Sequence, residues 1–197
     1  LIGIDTARAK LSALGHDAEN VEEIMNNALD SVRGTSFGMD EAATAAASAG
    51  AAGIQPGKEL TKYLNTMGDA AAIAGADFNE MASIFNKVET AQRAYTGDLN
   101  MLADRGIPIY QWLADEAGTS AEAIRDMASS GEVSAEMFRS AIEKNIGGAA
   151  KEIGEKSFAA ALKNIGADIG RIGANFLDAG GEAGVFFSTV KPLLTVF

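Results

Sequence analysis

The chain has 197 residues, enough for one domain with a substantial core plus an extended appendage, or for two small domains. It contains no cysteine and a single histidine, His16, which excludes a disulfide framework, a thiolate metal site and a cysteine nucleophile, and leaves histidine proton relays and zinc clusters without material. The net charge of −11 is all carried up to Ile153, with 12 Lys and Arg against 23 Asp and Glu, while Gly154 to Phe197 holds 4 of each; such a surface disfavours phosphate contacts and specific nucleic-acid binding.

The sequence opens at Leu1 without an initiator methionine and stops in the apolar run Val185 to Phe197, so a piece of a longer polypeptide is expected. No signal peptide is visible, and no stretch reaches the roughly 18 uninterrupted apolar residues of a spanning helix. Apolar residues recur at helical spacing throughout, without sustained strand-type alternation. The expected fold class is therefore all-α: a bundle of short helices over residues 1–148, then a Gly-rich, heptad-patterned segment over residues 149–197 forming an extended helix or a helical hairpin.

A first helix is predicted between Asp5 and Leu14, ended by Gly15. The second carries Val21, Ile24, Met25, Ala28 and Val32 as one buried stripe before Gly34. Asp40 is the expected cap of the alanine-rich segment Glu41 to Ala52, a thin element that packs closely. After Gly53 and Pro56, Leu60, Tyr63, Leu64, Met67 and Ala71 line the next helix. Asp77 and Glu80 suggest a capping box for a helix with Phe78, Met81, Phe85, Val88 and Tyr95 inward and a stop at Gly97-Asp98. A short segment, Leu99 to Arg105, leads to Gly106-Ile107-Pro108, where proline suits a first helical turn. Ile109, Trp112 and Leu113 face inward from the helix it opens, which Gly118 stops. Thr119 and Glu122 form a second predicted capping box, with Ile124, Met127 and Ala128 buried and Gly131 as terminator. Ser134 caps the last bundle helix, with Val133 and Phe138 as a hydrophobic staple ahead of Ala141, Ile142 and Ile146.

Gly147-Gly148 marks the boundary of the bundle, and from Phe158 onward the spacing becomes unusually regular. Phe158, Leu162, Ile165, Ile169, Ile172, Phe176, Ala179, Ala183, Phe186, Val190, Leu193 and Phe197 alternate at intervals of four and three, a heptad seam of the kind that winds against partner helices, and self-association through it is expected. Beside it runs a second row, Gly166, Gly170, Gly173, Leu177, Gly180 and Gly184, whose glycines permit close backbone approach. Each glycine costs a helix interior about 1 kcal/mol relative to alanine. The row therefore either lies in one helix held by its neighbours or breaks it into two or three short ones, with Gly180-Gly181 and Pro192 as punctuation. Asp168, Arg171, Asp178, Glu182 and Lys191 interrupt the apolar surface too often for burial in lipid.

Residues 106–138 have the spacing of a helix-turn-helix, but the would-be recognition helix presents Glu122, Arg125 and Asp126, and carboxylates there repel phosphates. The carboxylates elsewhere fit exposed faces or helix starts, the glycines do not follow a strand in a phosphate-cradling pattern, and no Ser or Thr has a plausible base partner. No catalytic residue, metal ligand or cofactor is expected.

Arg105-Gly-Ile-Pro-Ile-Tyr-Gln-Trp-Leu-Ala, followed by Gly118-Thr-Ser-Ala-Glu-Ala-Ile-Arg-Asp-Met127 and by Gly131-Glu-Val-Ser-Ala-Glu-Met-Phe138 with Ala141-Ile142, resembles the signature of the tail tape measure protein family of long-tailed phages and prophages. Gly34-Thr-Ser-Phe37, Ala42 to Ala52, Gly75-Ala-Asp-Phe78 and Phe85-Asn-Lys-Val88 extend the resemblance over residues 20–150. It implies a non-enzymatic structural protein that works with tail assembly chaperones, templates the tail tube protein around itself and sets tail length. It also implies residence in the tail lumen of the virion, host cytoplasm during assembly, and departure ahead of the DNA with contact to the host membrane. The competing reading is a helical interaction or membrane-active module of a prophage-derived secretion or toxin-like system.

Overall fold

A computed structural model describes residues 2–159 and 161. The chain divides into two compact units, Leu1–Gly154 and Glu155–Phe197. The fold is mainly all-α, as the periodicity predicts. The first unit holds α1 (Ile2–Ala13), α2 (Ala18–Val32), α3 (Met39–Ala51), α4 (Lys58–Ala74), α5 (Phe78–Ala91), α6 (Thr96–Ala103), α7 (Ile109–Ala117), α8 (Ala121–Ser129) and α9 (Ala135–Ile146). Residues 149–159 are also helical. A two-residue antiparallel ladder, β1 (Arg93–Ala94) against β2 (Val133–Ser134), pairs Arg93 with Ser134 and Ala94 with Val133.

The stripe of α2 is buried as its spacing requires, at Val21, Ile24, Met25, Ala28 and Val32. The Asp17 carboxylate opens this helix by accepting from the Asn20 N–H at 2.8 Å, which satisfies a donor that no helical carbonyl reaches. Helix α3 packs against α1, α2 and α5; α4 packs against α2, α5 and α9; α7 packs against α8 and α9. The core is continuous from Leu11 and Ile24 through Leu64 and Phe85 to Leu113 and Phe138.

Several helix starts differ from the sequence reading. Gly38, not Asp40, is the N-cap of α3, and its N–H donates to Glu41 Oε2 at 3.0 Å; Asp40 lies in the first turn, where a carboxylate still faces the positive helix end. Asp77 stands at the N-cap of α5 without a side-chain cap bond, and Glu80 pairs with Arg105 instead of reaching back. The predicted stop at Gly97-Asp98 is a beginning: α5 ends at Ala91, and α6 starts at Thr96 with Asp98 Oδ2 accepting from the Tyr95 N–H at 2.9 Å. Tyr95 therefore lies beyond α5, exposed, and not on its inner face.

Ser120 caps α8, accepting from the Ala123 N–H at 3.1 Å. Thr119 is occupied differently: its N–H donates to Ala114 O at 2.9 Å across left-handed Gly118 and closes α7. Ser134 caps α9 as expected, accepting from Met137 N–H at 3.1 Å, with Val133 and Phe138 both buried as a staple. Trp112, Met127 and Ile146 face the core but are only partly buried.

Candidate functional site

The polar centre of the bundle lies between α4, α5 and α9. Tyr63 is buried with its ring edge-on to Phe85, centroids 5.9 Å apart, and Phe85 meets Phe138 edge-on at 5.1 Å. The Tyr63 hydroxyl donates to Asn86 Oδ1 at 2.8 Å. Burial, with the nearby Glu89 carboxylate, pushes the Tyr63 phenol well above its ordinary value, so it stays protonated and serves as a hydrogen-bond donor.

Glu89 is 6% exposed, and such a charge needs partners. Arg139 Nε lies 3.3 Å from Glu89 Oε2, an ion pair without a hydrogen bond from that nitrogen, and Gln92 Nε2 donates to Glu89 Oε1 at 3.3 Å. Gln92 is itself left-handed, at φ 57°, and its amide also donates to Glu89 O at 2.6 Å. Its carbonyl accepts from the Ala135 N–H at 3.2 Å, extending the β1–β2 ladder to the start of α9. The electrostatics here clamp the end of α5 to α9.

An open groove between α4 and α9 exposes the edge of this centre, lined by Lys58, Lys62, Tyr63, Thr66, Arg139 and Glu143 among others. Lys62 lies 3.2 Å from Glu143, and alongside, Glu116 accepts from Lys144 Nζ at 2.5 Å and from Ser140 Oγ at 2.9 Å, which holds the Glu116 carboxyl below its ordinary range. Among the described residues no group of three His, Cys, Asp or Glu is placed to hold a metal ion.

The block around Gly106-Ile-Pro is similarly self-contained. Arg105 donates to Met101 O at 2.7 Å and pairs with Glu80, while the Tyr110 hydroxyl donates to Asn100 Oδ1 at 2.7 Å. Arg125, the only cation of α8, lies over the Tyr110 ring, 4.4 Å from its centroid. The helix-turn-helix spacing thus serves packing between α7 and α8, with its lone arginine folded back onto the preceding helix.

Of the packing seam read from sequence, Phe158 is 67% exposed, while Leu162, Ile165, Ile169, Ile172 and Phe176 lie outside the described residues, as do Gly166, Gly170, Gly173, Gly180 and Gly184. Sequence reasoning missed the Glu89–Arg139 pair, which joins separate helices without a local motif. It also missed Asp69, buried on α4, whose carboxylate accepts from Gly148 N–H and Ala150 N–H, each at 2.9 Å. An aspartate amid the apolar run Met67 to Ala74 was its only visible mark.

No described helix is long and apolar enough to cross a membrane. A family model described as tape measure protein matches residues 3–184. No curated protein matches the chain, and no solved structure does.

Proposed function

The chain belongs to the tape measure protein family, a structural component of phage tails, and from that premise we propose that it is part of a tail-length ruler and template for the tube. The observation that carries this reading is the family match over residues 3–184, most of the chain. The self-paired ionic groups of the bundle support a scaffolding role without chemistry, because the described polar side chains at its centre are committed to holding helices together. The bundle works as a folded scaffold, and the heptad-patterned residues that follow it in sequence self-associate as a coiled coil.

In this reading the partners are the tail tube protein and the tail assembly chaperones, and the protein leaves ahead of the genome through the tail lumen, touching the host membrane as it emerges. An acidic surface suits a lumen later filled by DNA, since like charges do not adhere. Ruler function is tested in the parent phage by in-frame deletion and duplication of residues 162–197, with tail length measured by electron microscopy. A ruler stretched as helix changes tail length by about 1.5 Å per residue. Tails of unaltered length from both variants would refute the ruler. Charged replacements at Ile165, Ile169 and Ile172 are expected to abolish self-association and tail formation, and normal tails from that variant would remove the seam from the mechanism.

A further inference from the structure

The Gly147-Gly148 turn has no side chain with which to cap the helical residues that follow it. The cap comes from elsewhere in the fold. Asp69 Oδ2 accepts from Gly148 N–H and Oδ1 from Ala150 N–H, both at 2.9 Å, joining positions 79 and 81 residues apart in the chain. Gly148 takes φ +90°, a conformation that an L side chain rarely adopts, and this turn directs both donors at one carboxylate. The first helical bond, Glu152 N–H to Gly148 O at 3.1 Å, follows immediately.

A second anchor lies one turn further on. A Cβ built on Gly154 would come within 2.5 Å of Gly34 O and 2.9 Å of Thr35 Cα, so the backbone there touches the turn after α2 and leaves no room for any other residue. Between the two anchors only Ala150 is buried, while Lys151, Glu152 and Ile153 are exposed. The segment thus buries little apolar area, and the contacts that tie its two ends to the bundle are a carboxylate at one and a close backbone approach at the other. Local opening free energies are low where buried apolar contacts are few.

We propose that Asp69 and Gly154 form a two-point latch that holds residues 148–154 against the bundle, so that this segment detaches and re-docks as a unit while α1 to α9 stay folded. The latch sits where the helical bundle meets the residues that continue beyond it in sequence. It rests only on contacts within the first unit, so it stands independently of the ruler.

The test is residue-resolved amide hydrogen exchange on the 197-residue chain, with Asp69→Ala, Asp69→Asn and Gly154→Ala compared to the parent. Asp69→Ala is expected to speed exchange at Gly148, Ala150 and Glu152 by about tenfold, the size of a lost helix cap, with core amides such as Leu64 and Phe85 little changed. Asp69→Asn keeps one accepting oxygen and falls between. Gly154→Ala produces the same local acceleration from the other anchor. Unaltered exchange at Gly148 and Ala150 in Asp69→Ala would overturn the latch. So would an equal loss of protection across α4, α5 and α9, or failure of both the Asp69→Ala and Gly154→Ala chains to fold, because each would make these residues part of one undivided unit.

Discussion

In α3 the buried positions are Ala42, Ala43, Ala45, Ala46, Ala47 and Ala49, all alanine, spread over a little more than half of the helix circumference. In α5 they are Phe78, Met81, Ala82, Ile84, Phe85, Val88 and Glu89, confined to one broad face. Both helices sit within one core and touch each other. The first region gains its stability by letting neighbouring backbones come close, the second by filling a wide gap with large side chains. The helix starts divide similarly, since α3 and α4 begin at Gly38 and Gly57, whereas α8 and α9 begin at the serine caps Ser120 and Ser134. The lesson is that the damaging substitution has opposite sign in the two regions: truncation harms one and enlargement the other.

The largest effect is expected from Phe85→Ala. Its ring joins Tyr63 and Phe138, so truncation opens a cavity that rigid helices on three sides do not close. Denaturant unfolding should show a loss of about 3–5 kcal/mol. A loss below about 1 kcal/mol, the scale of an ordinary surface change, would break the contrast by showing that the aromatic centre repacks freely. Next in size, Ala46→Leu forces extra carbons into a fully buried site on α3 and should cost about 1–3 kcal/mol, although leucine is nearly as good a helix former. A neutral or stabilising outcome would mean that the alanine layer contains slack.

A smaller prediction separates two adjacent candidates for one role. Ser120→Ala should cost about 1 kcal/mol in thermal or denaturant unfolding, because the Ala123 N–H loses its acceptor. Thr119→Ala should cost little, since the backbone N–H of Thr119, not its hydroxyl, makes the bond to Ala114 O. The reverse order would restore the capping box that the sequence suggested.

These cases show how much the sequence disclosed. The stripes of α2 and α4 were legible because a 3.6-residue period survives any tertiary context that buries one face. The Ser134 cap was legible because its staple residues flank it at fixed offsets. Asp77 and Glu80 have the spacing of a box, yet a distant arginine at position 105 draws Glu80 away, and local spacing carries no information about that competitor. Gly97-Asp98 reads as a terminator, but Asp98 is nearly fully buried and serves the start of α6, with Lys87 Nζ donating to its Oδ1 at 2.6 Å. The β1–β2 ladder has two residues on each side, too few for an alternation to register. Asp69 was silent for the same reason as Arg105: its partners are set by the fold and not by its neighbours in sequence.

The smallest effect is expected at Asp69, beside Ser31 of α2, Thr35 and Asn65, where the first and later helices meet. Burial raises its carboxyl above the ordinary 3.8, outweighing the opposing pull of the Ala150 and Gly148 N–H bonds and of Lys151, the one other charged group lining the crevice. The folded state therefore holds this proton more tightly than the unfolded state does. Its contribution to stability is fully present below the unfolded value and is lost as pH rises through the folded one. Acid thus relieves the cost of burying the charge, while one oxygen remains free to accept after the other is protonated. Glu116 has the opposite sign, its folded value being lowered by Lys144 and Ser140, so a bare pH profile mixes the two. Comparing the parent with Asp69→Asn isolates the first: their difference in unfolding free energy should shift in favour of the parent as pH falls from about 6 to about 3, through the carboxylate range. A shift in the other direction would mean that the two backbone donors stabilise the carboxylate by more than its burial costs.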